Sequence, residues 1–508
     1  MRTTPKFPLL AALLGLGLLW LSGLPLWHTD LWGHLAYGRY IWDTGSLPAT
    51  EPFMPLARGV EFVDTAWLSQ VIGYLALQRL GLPGLQFLAA ACVTATAGVL
   101  AWLGVRKTGH VGWTLLGLAA FAWLNWKQLF NGSDLSVVIR PQMAGMLAFV
   151  VTLAVAVGKP SRWHWFLIPL TFTAWANLHG SFLAGLALLG IFAVGRAGDV
   201  LRRTDKFGAT LRDWKFWRLI LLLEIAAVAV LLNPYGLRLY ADAYLLVKNA
   251  NLQNLVEWQP LTLRMQQGKA AAGVAFVLLF LYRMTPRRIG TGEVLALLIL
   301  GGLALWTSRM IIWWAPVAAY CVMLHSAALW RAYRRHSVNA PTPLSLGRGG
   351  LDSPSILCTI VGVAIIAACF AFTPLAKFLV TGPRPEFGRA VSSQTPTGAA
   401  RHLTENPARG QVFNTYEYGD YLLWSNPGMP VFVAGHAHLV PTEVWKDYVA
   451  SIRGSDWETT FDRYGVETVV LDRPARQAFI DRLREEPDWN MTYEDRNSAV
   501  FRRTRPLR

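Results

Sequence analysis

Asp30 and His34 stand four residues apart in Leu26-Trp27-His28-Thr29-Asp30-Leu31-Trp32-Gly33-His34-Leu35. At that spacing two side chains share one face of a helix. A carboxylate so placed can take the proton of a hydroxyl or amine as that group becomes a nucleophile, and a histidine beside it can orient the carboxylate or bind an anion. Glu51 and Asp64 follow in the same stretch, His28 to Asp64. The plainer reading is an amphipathic surface helix over Leu31–Trp42 with Asp30 as its N-cap. Trp27, Trp32, Tyr37, Tyr40 and Trp42 are the aromatics that such a helix sets at headgroup level.

Further polar residues interrupt apolar runs. Arg140 lies in Val137-Val138-Ile139-Arg140-Pro141, and Asn177 and His179 in Trp175-Ala176-Asn177-Leu178-His179-Gly180-Ser181. Arg309 lies in Trp306-Thr307-Ser308-Arg309-Met310, and Glu257 follows the Asn233-Pro234-Tyr235-Gly236 turn on a long loop. A charge at the bilayer centre costs at least about 2.5–3.5 kcal/mol, so such groups collect around cavities. An arginine there neutralises a departing anion or snorkels to the interface. For His179 the alternative is a structural hydrogen bond at a helix break. Glu224, inside an apolar run, reads as a packing or pairing residue. His436 and His438 have the types of metal ligands but no clear third partner.

These residues need a membrane to position them. The chain has 508 residues, 53% of them hydrophobic, with 23 Trp, a composition of polytopic membrane proteins rather than soluble domains. Phe7 to Trp27 is long enough to cross a hydrocarbon core of about 30 Å. Arg2 and Lys6 precede it, so the N-terminus is expected in the cytoplasm and Asp30 on the far side. No small-residue cleavage site follows, which makes this a retained anchor. Further apolar stretches lie at Leu85–Leu103, Trp113–Trp126, Val137–Val157, Trp163–Ala176, Phe182–Val194, Trp217–Leu232, Ala271–Tyr282, Val294–Trp306, Ile311–Leu329 and Ile356–Phe372. Basic clusters at Arg106-Lys107, Arg196–Arg218, Arg283–Arg288 and Arg331–Arg335 mark cytoplasmic loops, the last opening a loop Arg331–Pro354. Trp67–Leu80 fits either an interfacial helix or a short span. The expected count is roughly 11–13 spans, and on this topology every polar residue above faces the side of Asp30.

The expected organisation is a transmembrane domain, 1–372, with a first outer loop at 28–66, and a soluble extracytoplasmic α/β domain, 373–508. In that tail Val412–Tyr416, Pro430–Val433, Thr468–Asp472, Asn490–Glu494 and Ala499–Arg503 read as strands. Val444–Ile452, Trp457–Tyr464 and Arg476–Arg484 read as helices between and after them. No glycine-rich phosphate fingerprint follows a strand. From Thr373 onward 17 Lys+Arg balance 17 Asp+Glu, so the net +16 of the chain lies wholly in the membrane part. Cytoplasmic loops against anionic membrane lipids account for it, and nucleic acid is not an expected partner. The four cysteines, all in apolar runs, have neither metal-ligand spacing nor the pattern of a disulfide framework.

Asp30-Leu31-Trp32-Gly33-His34-Leu35-Ala36-Tyr37-Gly38, followed by Gly45-Ser46-Leu47-Pro48, Glu51-Pro52-Phe53 and Ala66-Trp67-Leu68, resembles the first outer loop of bacterial membrane proteins of the GT-C superfamily. That superfamily includes oligosaccharyltransferases, protein O-mannosyltransferases and lipid A aminoarabinose transferases. Arg140-Pro141-Gln142-Met143, Asn177-Leu178-His179-Gly180, Asn233–Gly236 and Glu257-Trp258 are similar to later blocks of one bacterial branch. In the tail, Val412-Phe413-Asn414, Gly419–Trp424 and Tyr464-Gly465-Val466 are similar to the same branch. The resemblance implies a polyprenyl-phosphate-linked sugar donor and inverting transfer at the outer face of a bacterial cytoplasmic membrane, with Asp30 as the base. It implies Arg309, Arg140 and His34 at the donor phosphate. Glu51, Asp64, Asn177, His179 and Glu257 would line the acceptor side or cavity. Glu51, Asp64 and Glu257 would steer the acceptor or hold a divalent cation, Mg²⁺ or Mn²⁺, as in some relatives. Two positions depart from the pattern: Glu51 stands for an aspartate, and Val433-Ala434-Gly435-His436 for an acidic-then-arginine turn. The rival readings are a lipid or sugar transporter, for which no inverted repeat is visible, and a non-catalytic membrane scaffold.

Overall fold

Each of those apolar stretches folds mostly as helix, because a segment without polar side chains must pair its own N–H and C=O groups. The helices in chain order are α1 (Lys6–Ser22), α2 (Leu31–Thr44), α3 (Trp67–Thr108), α4 (Val111–Leu129), α5 (Gln142–Val157), α6 (His164–Leu178) and α7 (Phe182–Thr204). Then come α8 (Phe207–Leu211), α9 (Trp214–Val230), α10 (Arg238–Val247), α11 (Gln266–Met284), α12 (Thr291–Trp306), α13 (Ile311–Ser337), α14 (Ile356–Ala371) and α15 (Pro374–Thr381). This computed structural model describes residues 6–132, 134–337, 356–382 and 387–504. Arg331–Ser337, expected to open a loop, continues α13, and the rest of that expected loop lies outside the described residues.

By length and composition three of the described helices suffice to cross a bilayer, Trp67–Thr108, Phe182–Thr204 and the segment Ser308–Arg334. The pair Ile356–Ala371 and Pro374–Thr381, bent by 68°, makes a fourth. Phe7–Ser22, Gln142–Val157 and Thr291–Trp306 are apolar but shorter, and the larger expected count had taken in helices of this kind. Trp67–Leu80 is the first part of the 42-residue α3, which breaks at Gly81 and Pro83. Glu224 lies on the exposed side of α9 rather than in a packed pair.

Helix α1 stops at Ser22, short of the expected Trp27, because Pro25 disfavours helix in the residue before it. The chain then runs extended and meets two partners at once. Trp27 N–H donates to the Val137 carbonyl at 2.8 Å, and Val137 N–H to the Pro25 carbonyl at 2.8 Å. On the other side Leu26 N–H donates to Ala390 and Ser392 N–H to Leu26, both at 2.8 Å. Leu26 is thus bridged in parallel to Val137 and to Val391. Val137 itself closes the small antiparallel pair β1 (Phe130–Asn131) and β2 (Ser136–Val137).

The tail holds α16 (Phe387–Ala390), α17 (Thr397–Glu405), β3 (Gln411–Asn414), α18 (Tyr416–Ser425), α19 (Thr442–Ser451), α20 (Trp457–Tyr464), β4 (Val466–Asp472), α21 (Arg473–Glu485), β5 (Trp489–Glu494) and β6 (Ser498–Arg503). Its sheet has the order β3-β4-β6-β5, parallel between β3 and β4 and antiparallel thereafter. Pro430–Val433, expected as a strand, makes only one bridge, Val412 to Val431. The Asn414 side chain takes over the rest of its pairing, accepting from Phe432 N–H at 3.0 Å and donating to the Val433 carbonyl at 2.9 Å.

The tail and the first loop share one hydrophobic core. Trp32, Leu35, Tyr37, Met54 and Phe62 belong to the same buried cluster as Phe413, Phe432, Tyr448 and Phe501. Trp32 lies 5.3 Å from the Tyr421 ring and 5.7 Å from Trp424, and Arg39 covers Trp424 at 4.5 Å. A fully buried large apolar side chain stabilises by about 1.5–3 kcal/mol. Several such side chains hold the tail on the loop.

Candidate active site

The junction at Leu26 explains how Asp30 and Arg140 meet. Parallel pairing sends both chains onward in the same direction, so residues three or four positions further on arrive side by side. Asp30 Oδ2 lies 2.5 Å from Arg140 Nε. Arg140 reaches on to Glu257 at 2.6 Å, and the second oxygen of Glu257 takes Arg309 at 2.6 Å. Four side chains remote in sequence thus form one line, Asp30–Arg140–Glu257–Arg309, with Arg309 over the Trp258 ring at 5.5 Å. The loop carrying Glu257 is tied to the turn carrying Arg309, since Ser308 N–H donates to Gln259 and Ser308 Oγ to Glu257, both at 2.9 Å. Each of the four side chains keeps 19–25% of its exposure, enough for a ligand to reach it.

Asp30 occupies the N-cap position of α2 but does not cap it, for its side chain accepts no hydrogen bond from the helix. Its φ of 68° is one that few residues other than glycine, asparagine and aspartate adopt. Burial works against the charge on Arg140, but the Asp30 and Glu257 carboxylates outweigh it and hold the guanidinium above its ordinary pKa. Burial likewise pushes the Glu257 carboxyl up, and Arg140 and Arg309 together pull it below its usual range. Arg140 and Glu257 are therefore both ionised at neutral pH.

His34 sits beside this line. Its Nδ1 meets Gln70 Nε2 at 3.3 Å, and Gln70 donates to Asp64 at 3.0 Å. Burial lowers His34 to about 4, so it is a neutral imidazole. His179 is lowered to about 3 by burial and by Arg309, His34 and Arg140. Its Nδ1 accepts the Ser181 N–H at 3.2 Å, which places the ring proton on Nε2.

The other expected cavity residues turn inward. Glu51 takes Tyr37 Oη at 2.5 Å and the N–H groups of Phe53 and Met54, and so folds the loop around itself. Asp64 is 1% exposed, holds Ala66 N–H and Gln70, and is raised by burial to about 7. Asn177 is used fully by Trp67, Thr173 and Leu232, tying α3, α6 and the end of α9 together. A divalent cation finds no fit here: Glu51 is spent on buried donors, Glu257 on two guanidiniums, and Asp64, whose Oδ1 takes both of its donors, keeps a single unpartnered oxygen, Oδ2. Among the described residues no three His, Cys, Asp or Glu side chains are grouped to hold a metal. His436 instead packs its ring against Tyr37 at 4.4 Å, Phe62 at 5.2 Å, His438 at 5.5 Å and His34 at 5.7 Å.

One residue of the site lies in a tail motif of the sequence, Gly419–Trp424, but nothing in that motif assigns it to the site. Asp420, on α18 of the tail, is 3% exposed and accepts the N–H of Asp30 at 3.0 Å and that of Gly435 at 2.7 Å. The Val433–His436 turn, without an acidic residue of its own, so receives a carboxylate from α18. A cavity of about 450 Å³ between α3, α5 and α6 is apolar and lies at the His164 end of α6, roughly 20 Å along that helix from Asn177.

A helical bundle whose first loop sets an aspartate among arginines, closed by a mixed α/β tail, is a GT-C-like fold, as the first-loop motifs imply. The crystal structure of the Archaeoglobus fulgidus oligosaccharyltransferase is similar with a TM-score of 0.52, covering 92% of this chain and 69% of that one at 12% identity. That of ArnT from Cupriavidus metallidurans is similar with a TM-score of 0.50, covering 97% of both chains at 15% identity. At such identities the likeness is one of fold. No protein-family model matches the sequence, and no curated protein matches it.

Proposed function

We propose that this chain is a membrane glycosyltransferase. It moves a sugar from a polyprenyl-phosphate-linked donor to an extracytoplasmic lipid, glycan or protein acceptor, with inversion. Asp30 takes the proton of the acceptor hydroxyl or amine as that group attacks the anomeric carbon. The bond from that carbon to the phosphate oxygen breaks, and polyprenyl phosphate leaves with the electron pair. Arg140 and Arg309 receive the charge on the departing phosphate, since guanidinium forks match phosphate oxygens. A donor phosphate competes with Asp30 for Arg140, so donor binding frees the base that the ion pair otherwise holds. Neutral His34 and His179 offer hydrogen bonds beside the same phosphate. The protein sits in a bacterial cytoplasmic membrane, with its N-terminus inside and its tail outside.

The observation that carries this reading is the Asp30 carboxylate, which forgoes capping α2 and heads a line of arginines on a GT-C-like fold. Its test is Asp30→Asn. Asparagine accepts positive φ as aspartate does and Glu257 still pairs with Arg140, so the variant should fold, with a melting temperature in detergent lowered only by the loss of the Asp30–Arg140 ion pair. Sugar transfer from a mixture of polyprenyl-phosphate donors should fall at least about 10²-fold. Full activity in the variant would remove Asp30 as base, and a wild-type chain that transfers no sugar would leave the transporter and scaffold readings.

A further inference from the structure

We infer that Asp420, supplied by the tail, is the positioning residue for Asp30: its carboxylate holds the Asp30 backbone in the one conformation that aims the Asp30 side chain at Arg140 instead of at the helix it precedes. This rests on the proposed role of Asp30.

Three observations converge on it. The first is the pair of hydrogen bonds from Asp30 N–H and Gly435 N–H, one to each oxygen of a buried carboxylate. No cation pairs with that carboxylate among the described residues. A buried carboxylate without a countercharge is expensive, and a neutral side chain would staple the tail to the loop at less cost. The second is the φ of 68° at Asp30. An aspartate at an N-cap ordinarily adopts extended φ/ψ and accepts the N–H of the second or third helical residue, worth about 1 kcal/mol. With its own N–H tied to Asp420, Asp30 is held out of that arrangement. The third is Gly33, on the first turn of α2: a β-carbon there would lie 2.5 Å from Asp420 Oδ1. The helix makes room for this carboxylate.

Without Asp420, Asp30 relaxes into the ordinary cap and leaves Arg140, so the base is misplaced although every other residue of the line is present. The groups that act on the Asp420 carboxyl are Asp30 at the head of α2 and Glu51 in the loop, with Tyr37 on α2 and Tyr416 on α18 alongside. Burial first, and then the Asp30 charge, raise Asp420 to about 7. Only the ionised form accepts both N–H groups without presenting a proton, so positioning weakens as pH falls below about 7.

The test uses the full chain in detergent or nanodiscs, as wild type, Asp420→Asn and Asp420→Ala. Amide hydrogen exchange over Trp27–Leu31 reads the contact directly, and exchange at Asp30 should be faster in both variants. Sugar transfer should show kcat lowered by about 10–10²-fold with the donor KM little changed. The wild-type decline in kcat below about pH 7 should vanish in Asp420→Asn. Unaltered exchange at Asp30 overturns the inference, whatever the activity. So does a kcat loss that only follows the fraction of folded protein, with the pH profile keeping its wild-type shape. A wild-type chain that transfers no sugar, or an Asp30→Asn variant as active as wild type, instead overturns the proposed function and, with it, any positioning role.

Discussion

Five histidines, His28, His34, His179, His436 and His438, are kept neutral around the site, chiefly by burial. Folded values of about 4 for His28, His34 and His438 and about 3 for His179 lie below the ordinary 6.5 of an unfolded chain. Unfolding therefore takes up protons below pH 6.5, and the stability these residues contribute above that pH is lost as pH falls towards 4. Asp64 and Asp420, raised to about 7, act in the opposite sense: their contribution is full below 3.8 and is lost as pH rises towards 7. A tenfold difference in proton affinity between folded and unfolded chain is worth about 1.4 kcal/mol, and five histidines outweigh two such carboxyls. The melting temperature in detergent should fall on going from pH 6.5 to pH 5; a flat or rising profile would contradict this balance. Residues of this kind differ in how plainly the sequence announces them. Arg140, Glu257 and Arg309 stand out because they interrupt apolar runs. Asp420 does not: Gly419–Trp424 stands out as a motif, but no pattern in it points to Asp420, whose partner is 390 residues away.

Among the elements, α2 is the one on which membrane part and tail both depend. It buries Trp32, Leu35 and Tyr37 against the tail and leaves room at Gly33 for Asp420. Gly33→Ala offers a clean contrast of sign. Helix propensity alone predicts a gain of about 1 kcal/mol, whereas a methyl group 2.5 Å from Asp420 Oδ1 predicts that the carboxylate is pushed away. The melting temperature should drop, and the Asp30 amide should exchange as fast as in Asp420→Ala; a raised melting temperature would show that α2 and α18 have slack. The long apolar helices were legible in the sequence because composition alone identifies them, and the tail strands β4, β5 and β6 because their residues alternate or run apolar; α10 and α15 to α18, short and of mixed composition, were not. Ends and pairings were not. Helix α1 yields at Pro25 to backbone partners at Val137 and Ala390, and Pro430–Val433 yields its ladder to the side chain of Asn414. Each outcome depends on residues more than ten positions away, which no local pattern encodes.

At the scale of the whole molecule, Asp420 and Asp30 touch, so tail and first loop must lie on the same side of any membrane the bundle crosses. With the N-terminus inside, as proposed, that side is the exterior. A reporter that works only outside the cytoplasm, fused after Arg508, should be active; a cytoplasmic signal would place the loop and the site inside. Chain order suggested a division at 372/373, yet the loop 28–66 shares its core with the tail as well as with α3 of the bundle. The division by packing does not follow the division by sequence, because a loop is assigned from its neighbours in the chain and a core from its neighbours in space. The junction at Leu26 carries this one step further, into the order of events during synthesis. Leu26 needs Val137 on one flank and Val391 on the other. The first of these emerges early and the second only when most of the chain has been made and moved across. Until then the loop bearing Asp30 has one flank unpaired, and Trp32 lacks its cover from Tyr421 and Trp424. With Asp30 as the proposed base, a nascent or truncated chain lacks the tail contact that places it, and the last segment delivered is the one that completes the site.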